Sequence, residues 1–262
     1  MIRSKGPQFY NHNPLPKDTR AKLAELKTIL QCWVDVFEGF LISSELDIFD
    51  KEVLSPQEIK DTISHHTLMI QRWISYIWLY TPFSRVQTVF DAYTPAFTTI
   101  TNLAEEILRL QPGRQWYYNL TADTQVIQPL VYVATKCRDG NLRRRAHAIL
   151  ADAGREGVWD GQCSAAACAW IIAKEEEGLE EGVVGNAEVG SKGYVEERYR
   201  LKGPIVKYNR FGRMLEISCS RTREDGSDEL IEGFKQWGTD LEIQGVVYGE
   251  PDKLWQNGAL FG

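Results

Sequence analysis

The sequence predicts a mainly α-helical fold, an antiparallel array of helical hairpins followed by a small C-terminal β-hairpin. Three observations support this prediction. Apolar residues recur at steps of three and four between Leu23 and Glu177, which is the period of one helix face. An acidic, glycine-rich stretch follows, and beyond it the apolar period changes to two, as in strands. The chain has 262 residues, 43% of them hydrophobic, which is enough to bury a core.

The N-terminal half carries three helical patterns. One apolar stripe extends from Leu23 to Leu41 and predicts a long first helix. The run Ser55-Pro56-Gln57-Glu58 matches a capping box with proline at the first helical position, and it opens a second helix whose stripe includes His66. A third helical face begins at Pro95. The loop Gln111-Pro112-Gly113 ends it, because proline cannot continue a helix and glycine accepts a left-handed turn.

The C-terminal half predicts three shorter helices and then a hairpin. The helices are centred on Val126–Cys137, Leu142–Leu150 and Cys163–Glu177, and the strands contain Val206–Tyr208 and Leu215–Cys219. Glycines between the two parts indicate a flexible linker. We therefore divide the chain into a helical domain at 1–181, a linker at 182–193, and a β-hairpin appendage with its tail at 194–262, packed on the helices.

Composition argues against several function classes. The net charge is −6, whereas proteins that bind duplex DNA unaided normally carry a clustered cationic face. The five cysteines are scattered without a Cys-x2-Cys pair, which argues against a zinc site and favours buried free thiols. We find no membrane-spanning stretch and no arrangement typical of catalysis. The sequence therefore predicts no catalytic residues, no cofactor, no bound metal and no autonomous DNA binding, and the protein is expected not to be an enzyme.

One basic cluster is a candidate for docking an acidic partner. It comprises Lys136, Arg138, Arg143, Arg144 and Arg145. The other interpretation is a solvated helix face whose arginines pair with neighbouring carboxylates. Consecutive arginines point to different sides of a helix, and this favours the second interpretation.

Aromatic residues are candidates for an apolar pocket that would bind a small molecule. They are Trp73, Tyr76, Trp116 and Tyr117. Aromatic residues at helical spacing also form ordinary cores, and that alternative stays open. In the turn before the alanine-rich last helix, we expect Asp160 to cap the helix and Trp159 to fill a groove.

Several of these segments together resemble a known family. The runs Leu130–Asp139, Arg143–Ala146, Gly154–Asp160 and Phe90–Phe97 are similar to the regulatory, middle-homology-type part of fungal binuclear zinc-cluster transcription factors. The resemblance extends roughly from Lys22 to Trp237. The six-cysteine module with which that family reads DNA has no counterpart in this sequence.

The resemblance implies a transcription-regulator-like protein of the nucleus, or alternatively of the cytoplasm, that acts through contacts. Its partner would be another protein, for instance a full-length zinc-cluster factor, and a small-molecule effector would fit the same kind of domain. Such a protein would be expected to control a metabolic or secondary-metabolite gene set. The alternative is a helical accessory protein or enzyme of a fungal biosynthetic pathway that binds an apolar intermediate.

Overall fold

The computed structural model describes residues 16–43, 54–81, 84, 86–111, 125–177, 195–209, 212–237 and 255–258. Within these ranges lie six α-helices: α1 Lys17–Ser43, α2 Pro56–Tyr80, α3 Thr94–Leu110, α4 Ile127–Lys136, α5 Gly140–Asp152 and α6 Gly161–Glu176. Two short 3-10 helices span Gln87–Tyr93 and Glu197–Tyr199. The predicted linker at 182–193 lies outside the described residues.

The strands form two antiparallel units. A minimal hairpin pairs β1 Arg155–Glu156 with β2 Trp159–Asp160. A four-stranded sheet has the order β5-β4-β3-β6. Its strands are β3 Lys202–Asn209, β4 Met214–Thr222, β5 Asp228–Gln236 and β6 Trp255–Gly258. The prediction of a mainly α fold with a small C-terminal antiparallel unit is confirmed. The predicted hairpin is β3–β4, and the structure adds an edge strand on each side.

The helices follow one another as antiparallel neighbours. The capping box of α2 is confirmed, since the Ser55 hydroxyl accepts a hydrogen bond from the Glu58 backbone N–H and the Glu58 carboxylate accepts one from Ser55 N–H. Helix α1 lies against α2 in the opposite direction. Lys27 Nζ is 4.0 Å from the centre of the Tyr80 ring, and Glu38 pairs with Arg72 at 2.7 Å.

The main core lies where α2, α3, α4 and α5 meet. Its fully enclosed side chains come from the predicted apolar faces and include Ile70, Ile77, Phe97, Ile100 and Leu130. Burial of this apolar surface stabilises the helical array far more than helix propensity does. The short helices α4 and α5 are held by this packing.

A second core joins α6 to the inner face of the sheet. Ile171 of α6 packs in one cluster with Val206, Leu215 and Ile217. Gly233 of β5 makes room for the indole of Trp170, because a Cβ added at Gly233 would lie 2.7 Å from Trp170 Nε1. The sheet therefore packs on α6.

Candidate functional site

The turn between α5 and α6 ties three elements together. The Glu156 carboxylate accepts hydrogen bonds from the backbone N–H groups of Gln125, Val126 and Ile127 at 2.9 to 3.1 Å, and so caps α4 from a distant point of the chain. The Asp160 carboxylate accepts one from Cys163 N–H at 2.9 Å, which confirms the predicted cap of α6. Free N–H groups at a helix start favour an anionic acceptor.

Steric constraints explain why glycine occupies two positions of this turn. Gly157 has a φ of 54°, a left-handed conformation that L side chains rarely adopt. A Cβ on Gly161 would lie 2.6 Å from the Leu150 carbonyl oxygen. Trp159 packs against the main core but is only partly buried, so it covers the groove rather than filling an enclosed one. The motif Gly154–Asp160 therefore serves as a structural joint.

A buried ionic centre lies between the helical array and the sheet. Glu175 of α6 accepts hydrogen bonds from Arg143 of α5 at 2.6 Å and from Arg200 at 2.7 Å, and none of the three side chains has exposed surface. Arg143 also donates to the Ala134 carbonyl, and Glu175 accepts from the backbone N–H of Leu201. The centre therefore links α4, α5, α6 and the chain leading into β3.

Most of the predicted docking cluster is occupied by contacts within the chain. Arg143 is enclosed, so the prediction that it offers its charge to a partner or to solvent is wrong for the folded chain. The other arginines of the cluster have carboxylate partners: Arg138 pairs with Asp91, Arg144 with Glu176, and Arg145 with Glu105. Sequence spacing did not reveal these partners, because they come from elements distant in the chain.

Lys136 is the fifth member of the cluster and lies over the Phe90 ring, with Nζ 5.4 Å from the ring centre. Its ammonium is 3.4 Å from the Gln87 side-chain oxygen. Burial first, and then the neighbouring Arg200, lower the pKa of Lys136 to about 8, although Glu175 acts in the opposite direction. The lysine is therefore a poor candidate for a strong, permanently charged docking point.

Only two of the four aromatic residues predicted to line an apolar pocket lie in the part of the chain that the structure describes. Trp73 and Tyr76 meet edge to face with ring centres 6.3 Å apart, and Tyr76 also stacks on Tyr80 at 4.4 Å. Trp116 and Tyr117 lie outside the described residues. The apolar pocket therefore stays a prediction, while Trp73 and Tyr76 serve at least as packing for the α2 surface.

An open groove of about 540 Å³ lies at the far end of the sheet. Three arginines line it, but three carboxylates line it as well: Arg198, Arg221, Arg223, Glu224, Asp225 and Glu229. Opposite charges in equal number give it no preference for an anion or a cation. Its chemistry selects no ligand class.

Helix α1 carries two apolar rows, where the sequence predicted a single stripe. The first row includes Leu30, Val34 and Phe37 and packs toward α2, where the Phe37 ring contacts His65. The second row lies about 100° around the helix and faces solvent. Its members are Leu26 (51% exposed), Ile29 (56%), Trp33 (38%), Val36 (73%) and Phe40 (59%).

The exposed row, as we call these five residues from Leu26 to Phe40, has the spacing of a coiled-coil seam. Its steps are three, four, three and four, the a and d positions of two heptads. It extends for about 21 Å along α1, at 1.5 Å per residue. Contiguous apolar patches that stay exposed on a folded protein often mark a binding surface.

Other kinds of site find no support in the described ranges. No group of three or more His, Cys, Asp or Glu side chains in them could hold a metal ion. No helix there is both long enough and apolar enough to cross a membrane. Comparison with models of known families, with characterised proteins and with solved structures gives no match.

Proposed function

We propose that this chain is a regulatory-type protein-binding module, and that the exposed row of α1 is its contact surface. One observation carries the proposal: five apolar side chains in heptad spacing face solvent on a helix that already packs on α2 through a different row. The exposure of these side chains costs free energy until another surface covers them.

The shape of the exposed row favours a protein over a small molecule. Small ligands bind in concave pockets that enclose most of their surface, whereas this row is a convex ridge along a helix. A ridge with a and d spacing is complementary to the groove between side chains of a second helix. The partner is therefore a helix of another polypeptide chain.

The wider role rests on the resemblance to the regulatory part of fungal zinc-cluster transcription factors. We infer that the protein acts in transcription regulation in the nucleus, through binding and not through catalysis. A full-length zinc-cluster factor is a suitable partner, and an apolar effector that binds beside Trp73 and Tyr76 is a suitable signal. Such a protein would control a metabolic or secondary-metabolite gene set.

Replacing a single side chain separates this function from its alternative. Val36→Glu places a charge in the centre of the exposed row, and Val158→Glu places the same charge on an equally exposed valine of the β1–β2 turn. We expect the Val36 allele to change the transcripts of several genes in the source organism, as deleting the gene would, and the Val158 allele to leave them unchanged.

The metabolites of the same strains complete the experiment. Normal transcripts together with one accumulated intermediate in the deletion strain would support the accessory role in biosynthesis and contradict the regulatory one. A third outcome is that deletion changes the transcripts while the Val36→Glu strain has the same transcripts as the wild type. The protein would then still be a regulator, but the exposed row would not be its contact surface.

A further inference from the structure

We propose that strand β5 is a second binding surface, at which an extended segment of another protein adds to the edge of the sheet. The segment that fits has the pattern apolar-x-basic-x-apolar and pairs antiparallel to β5. This inference is independent of the exposed row of α1 and of the proposed function. Its support comes from the open backbone groups of β5, from the side chains beside them, and from their charge.

Strand β5 offers open backbone groups along one side. It is the outer strand of the order β5-β4-β3-β6, and its nine residues pair with β4 without a shift in register. At the two ends of this ladder, Trp237 N–H donates to the Arg213 carbonyl and Arg223 N–H donates to the Ser227 carbonyl. Hydrogen-bonded and non-hydrogen-bonded pairs alternate along an antiparallel ladder, so every second residue of β5 directs its N–H and C=O away from β4. These residues are at positions 228, 230, 232, 234 and 236.

The open side of β5 lacks two features that commonly prevent strand addition. Proline and β-bulges protect the free edges of many sheets. Strand β5 contains no proline and no bulge, whereas the β3–β4 pairing has a shift in register between Lys202 and Ile205. In the described part of the chain, no strand pairs with this side of β5. The backbone of β5 is therefore suited to accept a further strand.

The residues with open backbone groups also expose their side chains. Leu230 is 65% exposed and Phe234 is 66% exposed, and both lie on the outer face of the sheet, since Gly233 faces Trp170 of α6. Glu232 lies between them on the same face and is exposed as well. A residue of an added strand directly opposite one of these three places its side chain on the outer face, about 5 Å away. Two apolar residues four positions apart in the added strand would therefore cover the exposed leucine and phenylalanine.

The charge of Glu232 selects a basic residue at the centre of the added strand. On the same face, Lys207 of β3 already pairs with Glu216 of β4 at 2.9 Å. Opposite charges directly across from each other stabilise a strand pair, whereas like charges destabilise it. If two β5 strands paired with Leu230 opposite Phe234 of a second copy, Glu232 would lie opposite Glu232 of that copy. The charge therefore favours a different chain, with lysine or arginine at this position, over a second copy.

Binding of two short peptides to the full chain is the first test. The probes are fluorescein-labelled Thr-Val-Thr-Lys-Thr-Val-Thr and the same peptide with glutamate in place of lysine. Fluorescence anisotropy should show that the lysine peptide binds at least about threefold more tightly, which corresponds to one cross-strand charge pair. A lysine peptide that does not bind at millimolar concentration, or two peptides of equal affinity, would overturn the proposal.

Charge reversal in the protein tests the location of the site. Glu232→Lys should reverse the order of the two affinities. Glu224→Lys is the matched control, because it makes the same charge change at an exposed residue of the β4–β5 turn, and it should keep the order of the wild type. Circular dichroism should be unchanged in both variants, since both side chains are exposed. If the Glu232→Lys protein still prefers the lysine peptide, the peptides bind elsewhere and the proposal is wrong.

N-methylated peptides test strand addition itself. In the proposed register the central lysine directs its N–H toward β5, and the threonine next to it directs its N–H away. An N-methyl group on the lysine should weaken binding about tenfold, because it removes a hydrogen bond between the strands. The same group on the threonine should leave the affinity nearly unchanged. Equal losses for the two peptides would contradict strand addition.

Sedimentation of the wild-type protein distinguishes the second copy from another chain as the occupant of this edge. We expect no dimer that depends on β5. A dimer that is lost in Phe234→Glu, together with absence of peptide binding, would identify the second copy as the occupant and contradict the proposal.

Discussion

At the scale of single residues, a few buried charges link elements that are distant in the sequence. Glu175 is enclosed between two guanidinium groups, and its Oε2 atom accepts hydrogen bonds from both. Arg143 and Arg200 each also donate to a main-chain carbonyl, of Ala134 and Thr135 respectively. A buried carboxylate that compensates two cations is costly to remove, because the cations cannot recover their hydration.

We predict that Glu175→Gln lowers the free energy of unfolding by about 3 to 5 kcal/mol, because it leaves two buried guanidinium groups without a counter-charge. The matched control is Glu176→Gln, next in sequence, whose partner Arg144 is partly exposed. That variant should lose less than about 1 kcal/mol. Urea unfolding of both variants measures the difference. If both variants lost the same free energy of unfolding, burial of the ionic centre would not explain the contribution of Glu175 to stability.

Buried histidines predict a loss of stability in acid. Burial lowers the pKa of His66, and the nearby His65 lowers it further, while Glu106 raises it. Because the folded pKa lies below the usual 6.5, the unfolded chain binds more protons between the two values. The free energy of unfolding therefore rises with pH in that window and falls on acidification below 6.5.

The variant His66→Phe should reduce this slope, by at most about 1.4 kcal/mol per pH unit for one proton. Part of the slope should remain, since burial also lowers the pKa of His65 and His147. Thermal or urea unfolding across mildly acidic pH measures the slope. An unchanged slope in the variant would show that His66 is protonated equally in the folded and unfolded chains.

At the scale of elements, helices α4 and α6 depend on carboxylates in the turn between α5 and α6. The sequence predicted the local cap, Asp160 on α6, because the acceptor lies three residues before its donor. It did not predict the Glu156 cap of α4, since donor and acceptor are about thirty residues apart. The same limit applies to Glu175, whose partners Arg143 and Arg200 are 32 and 25 residues away along the chain.

We predict that Glu156→Gln costs about 1 to 3 kcal/mol of unfolding free energy, because it removes the charge that three N–H groups at the start of α4 share. Glu105→Gln is the control: this carboxylate is exposed and pairs with Arg145 at the surface. Hydrogen exchange should show faster exchange of α4 amides in the first variant only. Unchanged α4 protection would contradict the capping role.

Most of the helical part of the fold could be predicted, since α1 to α5 follow an apolar period and the caps of α2 and α6 are visible in the sequence. The small sheet was predicted only in part. Strand β5 was not predicted, because its apolar residues Leu230 and Phe234 face outward while Gly233 lies inward. This reverses the usual pattern, in which apolar side chains face the core. The predicted docking cluster included the buried Arg143, because apolar periodicity does not show which arginine of a run is buried.

At the scale of the whole molecule, the exposed row of α1 differs in character from the charged candidates on the described surface. The basic cluster is largely neutralised by carboxylates of the same chain, and the groove at the sheet has balanced charges. The exposed row of α1, in contrast, has apolar side chains with a regular spacing that are 38 to 73% exposed. The central claim is that another protein chain covers this row when the molecule functions.

Site-specific photo-crosslinking in cells tests that claim most directly. A photoreactive residue at position 36 lies in the middle of the exposed row, and the same residue at position 158 is equally accessible but lies on the β1–β2 turn. We predict covalent adducts with protein at position 36, whether with a second copy or with another chain, and none at position 158. Absence of protein adducts at position 36 would contradict the account.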